Sequence, residues 1–247
     1  MHHFYLRFSK VGRELCSLQV MPPFCKLITS VPFIALTLLH YGNLWGLYFL
    51  ITAAPKFMSE VLGFNLAQAG VLASLPYLAR LSAGFVFGSI GDALIKSNVM
   101  TTTSIRKVFC IFSHILPGAC LIGLAYVGHH PYWCVAVITI SLGFNGASTL
   151  TNLQNAQDLA PNFAGTLYGI INFIGTTTGF LTPMVVGFFT KETNTIESWG
   201  IIFIIAALAY ILPSLFFLLF GSGEVQPWNE IISARFDQEK DDDTVVS

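Results

Sequence analysis

The chain has 247 residues, 54% of them hydrophobic and only 10% charged, with a mean hydropathy of +0.68. Such a composition excludes an ordinary soluble domain and is that of a chain crossing a membrane several times. The formal net charge of −1 excludes the strongly basic surface on which nucleic-acid binding depends.

Residues 1–30 form a polar arm bearing Arg7, Lys10, Arg13 and Lys26. The arm holds no apolar run long enough for the core of a signal peptide, so a cleaved leader is not expected. Six nearly uncharged apolar segments then fill residues 31–221: Val31–Ala54, Leu66–Ile90, Ile105–Val127, Pro131–Leu150, Phe163–Phe189 and Trp199–Gly221. Each reaches the ~20 residues that a helix rising ~1.5 Å per residue needs to cross the hydrocarbon layer. There the backbone must satisfy its own hydrogen bonds, so each segment is predicted to be helical. The expected fold is an all-α, polytopic membrane protein with six transmembrane helices. A polar tail over 222–247 follows, and its acidic run from Asp237 to Asp243 reads as a solvated end.

Loop charge sets the expected orientation. Lys and Arg gather in the arm and after the second span (Lys96, Arg106, Lys107), whereas Lys56 is balanced by Glu60, and Lys191 by Glu192 and Glu197. The positive-inside rule then puts both termini in the cytoplasm. No Asn-x-Ser/Thr sequon occurs to mark a lumenal loop.

The first span carries His40, Asn43, Trp45 and Tyr48 within three turns, either a cavity lining or a packed polar contact. In the second, Arg80 is the only Lys or Arg deep in any span. It shares a face with Ala73, Tyr77, Gly84 and Gly88. A charge near mid-membrane is costly and faces protein or a wet cavity. Two readings stand: an anion site, or a guanidinium that caps backbone carbonyls or snorkels. The turn Gly88-Ser-Ile-Gly91-Asp92 places a carboxylate where it could latch a neighbouring helix N-terminus. The fourth span ends in a stripe of Ser141, Asn145, Thr149 and Asn152. The fifth carries Gly165, Gly169, Asn172, Thr176, Gly179 and Pro183, spaced to lie on one face. Such a stripe serves a close helix contact or a cavity wall.

The five cysteines, Cys16, Cys25, Cys110, Cys120 and Cys134, form no Cys-x-x-Cys pair. The pairs His2-His3 and His129-His130 have no third ligand beside them, so no metal is expected. No Ser/His nucleophile arrangement, His-Glu-x-x-His or paired intramembrane Asp is present, and no catalytic residue is assigned. A channel is disfavoured for lack of a charge ring or filter-like repeat.

Several stretches resemble one family. They are Leu39–Asn65 (LHYGNLWGLYFLITAAPKFMSEVLGFN), Leu72–Ser97 (LASLPYLARLSAGFVFGSIGDALIKS), Thr101–Phe109 (TTTSIRKVF), Gln157–Gly187 (QDLAPNFAGTLYGIINFIGTTTGFLTPMVVG) and Ser222–Trp228 (SGEVQPW). Together they are similar to the second half of the anion-transporter branch of the major facilitator superfamily, with sialin, the vesicular glutamate transporters and the type I sodium–phosphate transporters. The wording is most like insect members of the inorganic phosphate cotransporter type. The resemblance implies alternating-access transport of a small organic or inorganic anion. H+ or Na+ would be the coupling ion, and there would be no other cofactor. The site would lie between two six-helix halves, in a plasma-membrane, vesicle or lysosomal bilayer. Cavity candidates are then His40, Asn43, Tyr48, Arg80, Asn145, Asn172 and Thr176; gating-loop candidates are Gly88 and Asp92. Asn43 falls near a position where the glutamate transporters carry Arg, which argues against close mimicry of glutamate recognition. The family's loop His is replaced in Asn155-Ala-Gln-Asp-Leu-Ala-Pro161, so no proton role is carried over to that loop. Family members have twelve helices. The chain is therefore expected to act with a second six-helix half or a full-length relative, or to be a non-transporting fragment that assembles with one.

Overall fold

The computed structural model describes residues 22–127, 130–192 and 194–229. The arm residues Arg7, Lys10, Arg13 and Cys16, the His2-His3 pair, His129 and the acidic run from Asp237 to Asp243 lie outside the described residues. Among those described, six helical segments are long and apolar enough to cross a membrane. The predicted number of spans is found, and their ends move.

Span 1 runs Val31–Glu60, straight through Pro55. Span 2 runs Leu66–Ser97 and opens with a capping box. The Gln68 N–H donates to Asn65 Oδ1 at 2.9 Å, and the Asn65 N–H to Gln68 Oε1 at 3.3 Å. It stops only at Asn98, whose φ of 51° is the left-handed conformation that Asn tolerates best after Gly. Gly88 and Asp92 therefore sit on the last turns of a helix, not in a turn after it. Nothing before Asn98 breaks the helix.

Span 3 is capped by Thr101, runs helical over Thr102–Cys110, widens into a π turn over Ile111–Ile115 and continues as Leu116–Val127. Pro117 has no N–H for the carbonyl of Ser113, and the side-chain amide of Asn145 supplies it instead at 2.8 Å. Span 4 is α-helical over Pro131–Asn145, tightens to a 3-10 turn over Gly146–Leu150, and ends in a short helix, Asn155–Leu159. Span 5 breaks between Ala164–Thr176 and Thr178–Thr190. Three successive threonines stand at the break. The hydroxyls of Thr176, Thr177 and Thr178 donate back to the carbonyls of Phe173, Ile174 and Gly175 at 3.1, 2.7 and 2.7 Å, competing with the helix ladder. Span 6 is Ile196–Phe220.

Span 1 packs against spans 5 and 6, span 3 against 4 and 6, and span 2 chiefly against 4. Spans 1 and 4 are the innermost: 56% and 61% of their apolar windows are buried, against 6% for span 2. Glycine lets backbones meet where this packing is tightest. A methyl on Gly42 or Gly46 would collide with Ala209 or the Tyr210 ring of span 6, and one on Gly146 with the backbone of Arg80 and Gly84. The main apolar core joins Phe49, Phe57, Leu124, Ile138, Trp199 and Phe203. A second cluster gathers Leu27, Leu159, Phe163 and Trp228, so both ends of the described chain lie at one end of the bundle. Part of the polar tail thus packs on the bundle.

Candidate functional site

Four spans meet in a buried polar network. Asn152 of span 4 donates to His40 Nδ1 at 2.9 Å, so the other ring nitrogen, Nε2, carries the proton and donates to Asn172 Oδ1 of span 5 at 2.8 Å. The Thr151 hydroxyl donates to Asn152 Oδ1 at 3.1 Å and lies 3.4 Å from the Ser113 hydroxyl. Ser113 in turn lies 2.7 Å from His114 Nδ1, and His114 Nε2–H donates to the carbonyl of Leu39 at 3.2 Å. Beside this chain, Asn145 Nδ2 donates to Asn43 Oδ1 at 2.9 Å as well as to Ser113. His40, Asn43, Ser113, His114, Asn145, Thr151 and Asn152 are all buried. Each finds its partner in protein, as a polar group in hydrocarbon must. The chemistry of this network is to fix spans 1, 3, 4 and 5 relative to one another.

Arg80 is in the opposite condition. It is half-buried at the middle of span 2, and its one hydrogen bond is a long 3.4 Å contact from Nη2 to the Ser148 hydroxyl. Among the described residues no carboxylate pairs with it. It opens into a groove of about 350 Å³ at the seam of spans 2 and 4, lined also by Tyr77, Leu81, Gly84, Phe85, Gly146 and Thr149. The Tyr77 hydroxyl is buried without a hydrogen-bond partner among the described residues, as is that of Tyr210.

A second arginine, Arg106, is fully engaged at the end of the bundle that carries both described chain ends. Its Nε donates to Asp158 Oδ2 at 2.6 Å, one Nη to Asp158 Oδ1 at 3.0 Å, and the other to the Leu150 carbonyl at 2.8 Å. Asn155 joins Asp158 to the tail, donating to Asp158 Oδ2 at 3.3 Å and to the Ser222 carbonyl at 2.7 Å. The Gly223 N–H donates to the Thr103 hydroxyl at 2.9 Å and the Gln226 N–H to the Leu159 carbonyl at 2.9 Å. Residues 222–229 thus strap the start of span 3 to the end of span 4.

The structure brings two pairs of sequence candidates into direct contact, His40 with Asn172 and Asn43 with Asn145. It leaves Arg80, Tyr48 and Thr176 apart from them. Tyr48 packs its ring on Gly179, 3.1 Å from where a methyl there would sit. Thr176 is exposed and bonded to its own helix. Asp92 is exposed and makes no ion pair among the described residues, and the first turn of span 3 is capped by Thr101. On span 5, Gly165 and Gly169 meet nothing within 4 Å, while Gly175, off the predicted stripe, packs against Leu44 and His40. Within the described residues that half of the stripe is an open face and not a contact. Sequence reasoning passed over Ser113, His114 and the Arg106–Asp158 pair. A histidine in a span of mean hydropathy 2.0 was the signal available for the first two.

No family model matches the chain. It is 35% identical over 209 residues, 84% of its length, to the "Putative inorganic phosphate cotransporter" of Drosophila ananassae, covering 43% of that protein. It is 33% identical over 216 residues to sialin of Homo sapiens (87% of this chain, 43% of that one). To vesicular glutamate transporter 1 of Xenopus tropicalis it is 33% identical over 208 residues (84% and 36%). The chain spans about two fifths of the length of the curated relatives it matches. Over most of its length, therefore, the chain is a relative of the anion transporters of the major facilitator superfamily that its motifs resemble.

Proposed function

We propose that this chain is the C-terminal six-helix half of a secondary active transporter for small anions, with both termini in the cytoplasm. The observation that carries the reading is Arg80: a mid-span cation without a carboxylate partner among the described residues, facing a groove, in a chain whose relatives are named as transporters. An intramembrane charge that the protein leaves unsatisfied is a site for a charge brought from outside. Alternating access would move the bundle as a body, and the buried network His40–Asn152–Thr151–Ser113–His114 supports that rigidity. The partner is a second six-helix half, which Gly165, Gly169 and the thinly buried span 2 leave room to meet. Coupling to H+ or Na+ belongs to the same reading.

The test is anion uptake into proteoliposomes holding this chain alone, or with a full-length relative or its N-terminal half, under an imposed pH or Na+ gradient. Saturable uptake that depends on Arg80 supports the proposal. The length ratio to the relatives favours a second reading, a non-transporting fragment that assembles with a full-length relative. Co-purification with such a relative, without uptake in any combination, would establish that reading in place of the first.

A further inference from the structure

We propose that a groove at the start of spans 2 and 4 binds a sterol from the bilayer, its hydroxyl held by Gln68 and Tyr132 and its rings laid along span 2. Gln68 stands twelve residues, about 18 Å of helix rise, before Arg80, so this site is separate from the one proposed above and does not rest on the transport reading.

Span 2 begins at Leu66, span 4 begins at Pro131 and span 3 ends at Val127. All three therefore meet the same membrane surface, opposite the end that carries both described chain ends. Aromatic rings crowd there: Tyr126, Tyr132 and Trp133 are 77%, 76% and 65% exposed, the residue types that sit at headgroup level. Among them Phe64, Ala67, Gln68, Val71, Leu72 and Tyr132 line a groove of about 390 Å³, in the range of sites for small organic ligands. The rings of Phe64 and Tyr132 close one side, edge to face with centroids 5.6 Å apart.

Three features select the occupant. First, the lining carries no charge. A phospholipid phosphate is held by cations, and none lines this groove. Second, the polar groups stand together at its mouth. The Asn65 N–H donates to Gln68 Oε1 at 3.3 Å, which fixes the oxygen of that amide on the helix cap and leaves its nitrogen, with two donors, turned away from the cap. Neither that nitrogen nor the Tyr132 hydroxyl makes a hydrogen bond among the described residues. One hydroxyl, both donor and acceptor, satisfies the pair. Third, one turn deeper the surface is wholly apolar. Val71 and Leu72 follow Gln68, and Leu75 and Leu78, 40% and 58% exposed, continue the strip toward mid-membrane. A neutral hydroxyl at the interface and an apolar body along the helix is the layout of a sterol. Its fused rings are rigid, so seating them costs less conformational entropy than ordering an acyl chain. A second protein half fits this place less well. Helix contacts in membranes are built on small residues, such as Gly165 and Gly169 of span 5, whereas a rim of Tyr and Trp marks protein meeting lipid.

The probe is cholesterol bearing a photoreactive diazirine on its ring system, added to the full chain in phosphatidylcholine nanodiscs, with the cross-linked peptides located by mass spectrometry. Expected are adducts confined to residues 64–72 and 132–133, suppressed by unlabelled cholesterol and not by its 3α-hydroxyl epimer. Tyr132→Phe, which removes only a hydroxyl, should weaken labelling about two- to tenfold, the worth of one hydrogen bond. Val71→Trp fills the groove from a position that is 66% exposed, and should abolish labelling there while thermal unfolding stays unchanged. Adducts spread evenly over the exposed faces of the six spans, equal competition by the epimer, or undiminished labelling in either variant would overturn the proposal. So would a photoreactive phosphatidylcholine that marks the same peptides and is not displaced by cholesterol, which would make the groove a seat for ordinary bilayer lipid. Loss of labelling when an N-terminal half is added would assign the groove to the contact between halves, and would overturn it too. Anion uptake is not a readout here, so either proposal can fail without the other.

Discussion

Two arginines separate the closed region of this bundle from its open one. Arg106 lies 3% exposed at the end that carries both described chain ends, and its donors are taken by both oxygens of Asp158 and the Leu150 carbonyl. Arg80 lies at mid-span, half-buried, with one long contact to a hydroxyl. Both are costly in hydrocarbon, and among the described residues only Arg106 is compensated by a carboxylate. The contrast teaches that two cations of one bundle are told apart by the state of their donors. The same division runs through the glycines: Gly46 and Gly146 are pressed against neighbours, while Gly165 and Gly169 face open space.

The largest effect should come from breaking the satisfied arginine. Arg106→Met leaves the Asp158 carboxylate, with a side chain only 14% exposed, without its cation. It should cost about 3–5 kcal/mol, measured as lost unfolding free energy in detergent micelles. Asp158→Asn should approach the same loss from the other side. The double variant Arg106→Met/Asp158→Leu should recover most of it, because an apolar pair carries no stranded charge. If either single variant were as stable as the parent, the ion pair would not be holding span 3 to the end of span 4.

Next come the closed and open glycines. Gly46→Ala would drive a methyl into the Tyr210 hydroxyl, and such overpacking costs about 1–3 kcal/mol. Gly165→Ala meets nothing within 4 Å and, as Ala is the better helix former, should be neutral or stabilising by about 0.5–1 kcal/mol in the chain alone. Thermal unfolding of the two variants side by side measures the difference. If an N-terminal half is added and Gly165→Ala weakens its association, the open face is where the second half docks.

The buried network should yield a smaller loss. Asn145→Ala removes the donors to Asn43 and to the Ser113 carbonyl that Pro117 leaves free. Polar contacts between membrane helices are worth about 0.6 kcal/mol each and at most about 1.7, so a loss of about 1–2 kcal/mol is expected from unfolding titrations. The variant should also relax the π turn. Faster amide exchange over 111–115 would register that, and unchanged exchange there would detach the turn from Asn145.

The six spans were legible because hydrocarbon thickness fixes their length and lipid forbids an unpaired backbone. Their ends were less so. Asp92 and Gly88 read as a turn, yet the helix persists to Asn98 because glycine in a long apolar helix costs only about 1 kcal/mol. Arg80 stood out as a lone charge. Arg106 did not, because charges near span ends look like votes on orientation and its partner is 52 residues away. The stripe on span 5 identified a face without saying what lay opposite it: Gly179 on it meets the Tyr48 ring, Gly165 and Gly169 meet nothing within 4 Å, and Gly175, which packs on Leu44 and His40, lies off it. The π turn was hidden because its cause is a carbonyl freed by Pro117 and taken up by Asn145, a partner on another helix.

The smallest expected effect on stability is the most informative. Arg80→Gln removes a cation with one hydrogen bond to its surroundings, a 3.4 Å contact to Ser148, on a half-buried side chain. Its charge is also a cost at mid-membrane. The two terms oppose one another, so unfolding free energy in micelles should move by no more than about 0.5 kcal/mol, the range of substitutions that touch no packed feature. Anion uptake by the complete assembly should nonetheless fall steeply. A substitution silent in stability and severe in transport is the signature of a group held ready for a ligand. If Arg80→Gln instead cost as much as Arg106→Met, its guanidinium would be bracing span 2 against span 4, and both arginines would belong to the closed region.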